Sequence, residues 1–250
     1  MPYGVYLSAA GAQAQSHRMA ALSHNLANVN TPGYKPEETV LQARFAELIE
    51  QGEVSPGGGG ADDIGGGITI GRSVTRMAPG PVQATGRQTD FAIQDDESFF
   101  VVSKDGEQRL TRAGNFLFDA SGRLINDAGD PVVDSDGNPI RVNPLLPYDV
   151  LGGGRIRQGD GVSELMLAKP RSMADLSRAG DNQFKPLAPF DLVTGGDRAV
   201  VAGMIEQSGV QPTGAMMELI ETSRVYEANV RMIQNQDHVM GSLISRVLQS

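Results

Sequence analysis

The sequence predicts an α+β fold, with paired N- and C-terminal helices forming a coiled-coil-like inner domain and an inserted, mainly antiparallel β domain. Three observations predict it. The final stretch, Thr213 to Ser250, carries an apolar heptad seam; the first thirty residues carry a weaker, alanine-rich one; and the chain between them breaks into short apolar runs separated by glycine-containing turns. The expected division is residues 1–35 plus 212–250 as the helical inner domain, 36–67 as a helix and glycine-rich linker, and 68–211 as a β-rich outer domain.

Composition narrows the class of protein. In 250 residues, 40% apolar content is enough for a core, while 31 glycines, 5% aromatics and no tryptophan point to many turns and thin packing. Residues 1–30 hold no acid and only Arg18 as a base, and residues 212–250 nearly balance, so the net charge of −9 belongs to the middle of the chain. An acidic middle without a basic stripe argues against nucleic acid and against an anionic membrane surface. There is no cysteine, so no disulfide framework is available. No basic-then-apolar leader opens the sequence, and no apolar run approaches the roughly 18 residues that a membrane span needs, so neither classical secretion nor membrane insertion is expected.

The first helix is expected between Val5 and Val29, on the seam Val5, Ser8, Ala12, Gln15, Met19, Leu22, Leu26 and Val29. Asn25, Asn28 and Asn30, then Thr31-Pro32-Gly33, end it: asparagine tolerates left-handed geometry, proline disfavours helix before it, and glycine supplies a turn. Glu37 to Gln51 reads as a second helical piece, and Ser55 to Gly67 as a flexible glycine loop. No lysine stands near those glycines, so they do not form a phosphate cradle.

From Ile68 to about Val142, Ile68-Thr69-Ile70, Phe91-Ala92-Ile93 and Phe99-Phe100-Val101-Val102 read as strands, with turns at Asp105-Gly106, Ser121-Gly122, Ala128-Gly129 and Asp136-Gly137. Pro139 to Gly161 reads as loop, Ser163 to Lys169 as a strand, Ala174 to Arg178 as one helical turn, and Phe184 to Val193 as a return to the sheet. Ala199 to Val210 leads into the last helix, with Pro212 as a stop on the strand before it and Thr213 as its N-cap. In that helix the seam is Met216, Leu219, Ser223, Tyr226, Val230, Ile233, Asp237, Met240, Ile244 and Val247, eight of the ten being apolar or aromatic. At ~1.5 Å per residue it would be on the order of 55 Å long, more than a domain of this size needs.

Three motifs resemble one family. Asn25-Leu26-Ala27-Asn28 with Thr31-Pro32-Gly33-Tyr34-Lys35 is the first. The second is Asp90-Phe91-Ala92-Ile93, Phe99-Phe100 and Leu110-Thr111-Arg112-Ala113-Gly114-Asn115-Phe116. The third is Gly203-Met204-Ile205-Glu206-Gln207-Ser208-Gly209-Val210, followed by Met217, Ile220, Arg224, Tyr226 and Glu227. Together they resemble the bacterial flagellar rod and hook proteins, the basal-body axial family, with its proximal rod branch nearest and its distal rod branch next. Leu110 replaces a usual tyrosine, Gln94 to Ser98 a shorter turn, and Gly209 a usual asparagine.

The resemblance implies a self-assembling structural subunit of the basal-body rod, the drive shaft that carries torque from motor to hook. Its partners would be other rod and hook proteins in a homo- and hetero-oligomeric axial assembly, and the flagellar export apparatus. Its place would be the periplasmic part of the envelope, and its terminal segments would be loose until assembly pairs them. The seam residues expected at the assembly interface are Leu22, Leu26, Val29, Tyr226, Val230, Ile233, Met240, Ile244 and Val247, with Asn25, Asn28, Thr31, Gly33 and Tyr34 setting the turn.

Enzymatic readings find no constellation. Asp134-Ser135-Asp136-Gly137-Asn138 lacks the closing ligand of a calcium loop and reads as a turn. Asp95, Asp96 and Glu97 are adjacent solubilising acids rather than a pair facing across a cleft. His17, His24 and His238 lack zinc spacing, and there is no Gly-x-Ser-x-Gly, so no catalytic, metal or cofactor residue is assigned. The rival reading is a monomeric β-rich domain binding cell-wall polymer or carbohydrate, and an enzyme acting on peptidoglycan stands third.

Overall fold

In the computed structural model, which describes residues 3–43 and 67–248, the chain divides into two units. A helical unit comprises Met1–Ala27, Glu37–Arg76 and Gln211–Ser250, and a β unit comprises Asn28–Pro36 and Met77–Val210. The protein is α+β, with two long helices and mostly antiparallel sheets.

The helical unit is built on α1 (Tyr3–Ala27) and α2 (Pro212–Leu248). Pro212 is itself the first helical residue of α2, a position where its missing N–H costs nothing, so Thr213 sits inside the first turn instead of capping it. The unit's other element corrects an expectation. Glu37–Ala43 is a strand, β1, paired antiparallel with β2 (Ile68–Thr75), and not the start of a helix. Thr39 and Val40 are β-branched, and a partner strand is available, which outweighs the helical spacing. The rest of that expected helix, and the glycine loop up to residue 66, lie outside the described residues.

The β unit centres on β5 (Phe99–Lys104), whose apolar run is buried on both faces. Alternate side chains enter two clusters: Phe100 and Val102 join Phe91, Phe116 and Leu124, whereas Phe99 and Val101 join Leu110 and Phe184. Phe100 meets Phe116 edge-on at 5.2 Å, and Phe99 meets Phe184 at 6.0 Å. β5 turns into β6 (Glu107–Thr111) through Asp105-Gly106, with φ of 54° and 83°, the two positive values that a tight hairpin requires. With β12 (Leu167–Pro170), β13 (Leu176–Arg178), β14 (Gln183–Pro186) and β15 (Phe190–Leu192), these form a six-stranded sheet in the order β13-β14-β6-β5-β12-β15.

Smaller pairs complete the unit. β3 (Val82–Ala84) pairs with β17 (Met204–Glu206), β4 (Phe91–Ile93) with β16 (Val200–Ala202), and β7 (Leu117–Phe118) with β8 (Leu124–Ile125). The stretch read as loop contains β9 (Asp149–Leu151) and β10 (Arg155–Gln158), which with β11 (Gly161–Glu164) make a three-stranded sheet. Ile156 is buried between exposed Arg155 and Arg157, an alternation too short to stand out among the prolines and glycines. The single strand expected over Ser163 to Lys169 is two, because Leu165 leaves β11 to bridge Asp134. The expected helical turn at Ala174 is a 3-10 turn, Met173–Asp175, capped by the Ser172 side chain, and it gives way to β13.

Candidate assembly site

The three sequence motifs meet inside the β unit. Lys35, Arg112 and Glu206 are 0%, 1% and 1% exposed. The Lys35 ammonium donates to Glu206 Oε1 at 2.6 Å and to the Ala78 carbonyl at 3.0 Å, and the Gly80 N–H donates to the same Oε1 at 2.8 Å. Arg112 Nη1 lies 3.6 Å from Glu206 Oε2 and donates to the Asp95 carbonyl at 2.6 Å, while its guanidinium covers the Phe99 ring at 4.9 Å. Burial pushes the Lys35 ammonium below its ordinary range and the neighbouring Glu206 carboxylate pulls it back; burial likewise lowers Arg112.

This clasp holds each segment by which the chain enters or leaves the β unit. Those segments are the Asn28–Pro36 loop, the start at Met77 and the end at Val210. The first brings Lys35, the second Ala78 and Gly80, the third Glu206. Gly33 N–H donates to the Glu206 carbonyl at 2.8 Å and Gly209 N–H to the Tyr34 carbonyl at 2.9 Å. The Lys35 carbonyl accepts from Arg178, whose guanidinium stacks on Tyr34 at 5.3 Å, and Asn182 donates to the Pro32 carbonyl at 2.8 Å. Gly33 has φ 63°, and any Cβ there would fall inside the Arg112–Ala113 peptide.

The turn residues have definite places. Thr31 Oγ1 donates to Asn28 Oδ1 at 3.1 Å, and the Tyr34 N–H reaches the Thr31 carbonyl at 3.2 Å. Asn25, in the helical unit, makes a two-point pair with the Glu37 backbone: its Nδ2 donates to the carbonyl at 2.7 Å and its Oδ1 accepts the N–H at 2.9 Å. Lys35, Arg112 and Glu206 stood in the quoted motifs without a role. The available signal was three charged residues kept inside otherwise apolar or glycine-rich segments.

In the helical unit, Gly4 and Gly11 of α1 abut the side-chain amides of Gln236 and Asn229, and Arg18 lies 3.7 Å from Glu218. Along α2 from Leu219 onward the more covered positions are Leu219, Thr222, Ser223, Tyr226, Asn229, Val230, Ile233 and Gln236. This stripe contains Leu219, Ser223, Tyr226, Val230 and Ile233 of the expected seam, adds Thr222, Asn229 and Gln236 beside them, and leaves Asp237 exposed. The glycines of α1 leave room for a polar amide, which counting apolar positions overlooks. Leu22 is buried, Leu26, Val29 and Val230 are half-buried, and Met240 and Ile244 are exposed; the Val247 side chain is not among those described. Met217, Ile220, Met232, Val239 and Leu243 of α2 are also more than half exposed.

His17, His24 and His238 are all exposed, and among the described residues no group of three or more His, Cys, Asp or Glu could hold a metal ion. No helix among them is long and apolar enough to cross a membrane.

Comparison with known proteins returns the same three regions. Residues 6–35 match the family "Flagella basal body rod protein", residues 92–153 "Flagellar hook protein FlgE/F/G D1 domain", and residues 201–246 "Flagellar basal body rod FlgEFG protein C-terminal". The chain is 31% identical to the flagellar basal-body rod protein FlgF of Caulobacter vibrioides over 90% of each chain. It is 26% identical to FlgG of Bacillus subtilis over 96% of this chain and 97% of that one, and 27% identical to FlgF of Salmonella typhimurium over 96% of each.

Proposed function

Because the chain belongs to the flagellar basal-body rod protein family and is a structural subunit of the basal body, not an enzyme, we propose that it polymerises by packing its two terminal helices against those of neighbouring rod and hook subunits. In this reading α1 and α2 form a coiled-coil-like inner layer that carries torque from motor to hook. The β unit forms the outer layer, and the chain arrives through the flagellar export apparatus.

One observation carries the proposal: α2 keeps large apolar side chains in water, with Met217, Ile220, Met232, Val239, Leu243 and Ile244 each more than half exposed. Gln236 already lies against Gly4, at the start of α1, so the turns of α2 beyond it run past the end of that helix. Covering this face returns ~25 cal/mol per Å² of apolar surface removed from water, which a lone subunit forgoes. Leu22, Leu26, Tyr226, Val230 and Ile233 then hold the helices to each other, while Met240 and Ile244, with Val247 on the same seam, face the neighbours. The alternative of a monomeric domain binding wall polymer draws no support from relatives named as rod proteins.

The test is Ile244→Asp. At an exposed position it should change the stability of the isolated subunit by no more than about 0.5 kcal/mol, yet remove the protein from purified basal bodies and abolish swimming. Normal incorporation of the variant would refute the proposal.

A further inference from the structure

A turn of the β unit displays two leucines on a rigid mount. Gln158 Oε1 accepts the Asn143 N–H at 2.7 Å, and its Nε2 donates to the carbonyls of Asn143 at 2.9 Å and Leu146 at 3.1 Å. Asn143 Oδ1 accepts the Leu145 N–H at 3.0 Å, and the Asn143 carbonyl accepts the Leu146 N–H at 3.1 Å. Pro144 and Pro147 fix the backbone on either side. The turn spends its polar groups on itself and leaves Leu145 90% and Leu146 54% exposed, with Val162 of adjacent β11 at 54%. Such rigid display of aliphatic side chains suits a contact whose ordering cost is already met.

Elsewhere on the same unit lies a cleft of about 670 Å³, lined by Leu192 and Val193, by five carboxylates on the Asp95–Glu97 turn and at Asp191 and Asp197, and by the base Lys169. Leu192 is half exposed. We propose that the Leu145–Leu146 knob of one copy seats in this cleft on the next copy of the chain.

Three features favour that occupant. The cleft is in the size range that takes a small organic ligand, which is room for two leucine side chains. Exposed Arg141 stands four residues before Leu145, while Arg157 is already paired with Asp149; in the cleft Glu97 is paired with Lys169 and Asp191 with Arg171, and Asp95, Asp96 and Asp197 leave it net acidic. The two surfaces differ, so the contact is head-to-tail and adds copies in a row instead of closing a dimer. Two leucines bury far less than the ~1,200 Å² of a stable complex, so the contact forms only where copies are already held side by side. In that respect it rests on the rod-subunit reading.

The chain has no cysteine, which gives a clean background. Basal bodies carrying full-length Leu145→Cys/Leu192→Cys, treated with a short bis-maleimide, should yield a ladder of multimers of this chain, while either single variant stays monomeric. A double variant that incorporates but stays monomeric would overturn the proposal, as would dimers from Leu145→Cys alone or adducts only with a protein of another mass. Independently, Leu145→Asp should lower the copy number per basal body several-fold, and an unchanged copy number counts against the contact. Absence of the unaltered chain from basal bodies would instead defeat the rod-subunit reading.

Discussion

In the β unit even a lysine and an arginine are buried, Lys35 at 0% and Arg112 at 1% exposure, whereas in the helical unit Met217, Leu243 and Ile244 stand more than half in water. The contrast reverses the usual placement of residue types. Burying a charge is strongly unfavourable unless partners surround it, so the β unit must close around the Lys35–Glu206 contact, with Glu206 Oε2 meeting Arg112 only as an ion pair at 3.6 Å. An exposed aliphatic stripe carries the opposite message, a surface awaiting cover. One chain therefore joins a body closed around buried charges to a helix that leaves large apolar side chains in water, the contrast on which the proposed polymerisation rests.

The sharpest way to break this comparison is Glu206→Ala. It would leave Lys35 and Arg112 buried without their shared carboxylate and free the Gly80 N–H, and loss of one member of a buried pair costs about 3–5 kcal/mol. Chemical denaturation followed by β-unit signals should show that loss. Lys35→Met/Glu206→Leu should recover only part of it, since it removes the unpaired ammonium while the Arg112 guanidinium still lacks its carboxylate. A cost under about 1 kcal/mol for Glu206→Ala would mean that the clasp is solvated and that the β unit is not closed as described.

The comparison sharpens at Asn25, a buried polar side chain of the helical unit. Asn25→Ala removes both hydrogen bonds to the Glu37 backbone, and should cost about 1–3 kcal/mol. The loss should appear as faster amide exchange at Glu37 and along β1, with the β-unit amides unchanged. Equal effects in both units would show that they melt together, and the contrast between them would lose its meaning.

How far the sequence revealed these features depends on the range over which each signal acts. Phe99 to Val102 and the Asp105-Gly106 turn were legible because apolar run and turn chemistry are local. β1 was misread because its strand state depends on β2, more than twenty residues on, and β9 and β10 because strands of three and four residues fall below any usable periodicity. The clasp could not be read at all. Lys35 and Glu206 are separated by 171 residues, and only the fold brings them within 2.6 Å. The turn residues Asn28, Thr31 and Gly33 were visible as a helix stop, but the reason Gly33 must be glycine, the Arg112 peptide against its Cα, is tertiary.

The smallest effect expected concerns a surface turn, and it checks that the β unit's exposed charges contribute little beside its buried ones. The Asp119 carboxylate accepts from the Ser121 hydroxyl at 2.7 Å and N–H at 2.8 Å, and from the Arg123 N–H and Nε, both at 2.8 Å. These bonds, the Ser121 hydroxyl foremost, hold its pKa well below the ordinary 3.8. A carboxylate depressed in the folded state stabilises fully above its unfolded pKa, and that stability is lost as pH falls through the folded one. Asp119→Asn should therefore lower the urea midpoint slightly at pH 7, and the gap from the unaltered chain should narrow as pH drops below about 4. A gap that is constant down to pH 2 would assign the effect to turn geometry and not to charge. One that rivals Glu206→Ala would show that surface pairs, and not the buried clasp, hold the β unit closed.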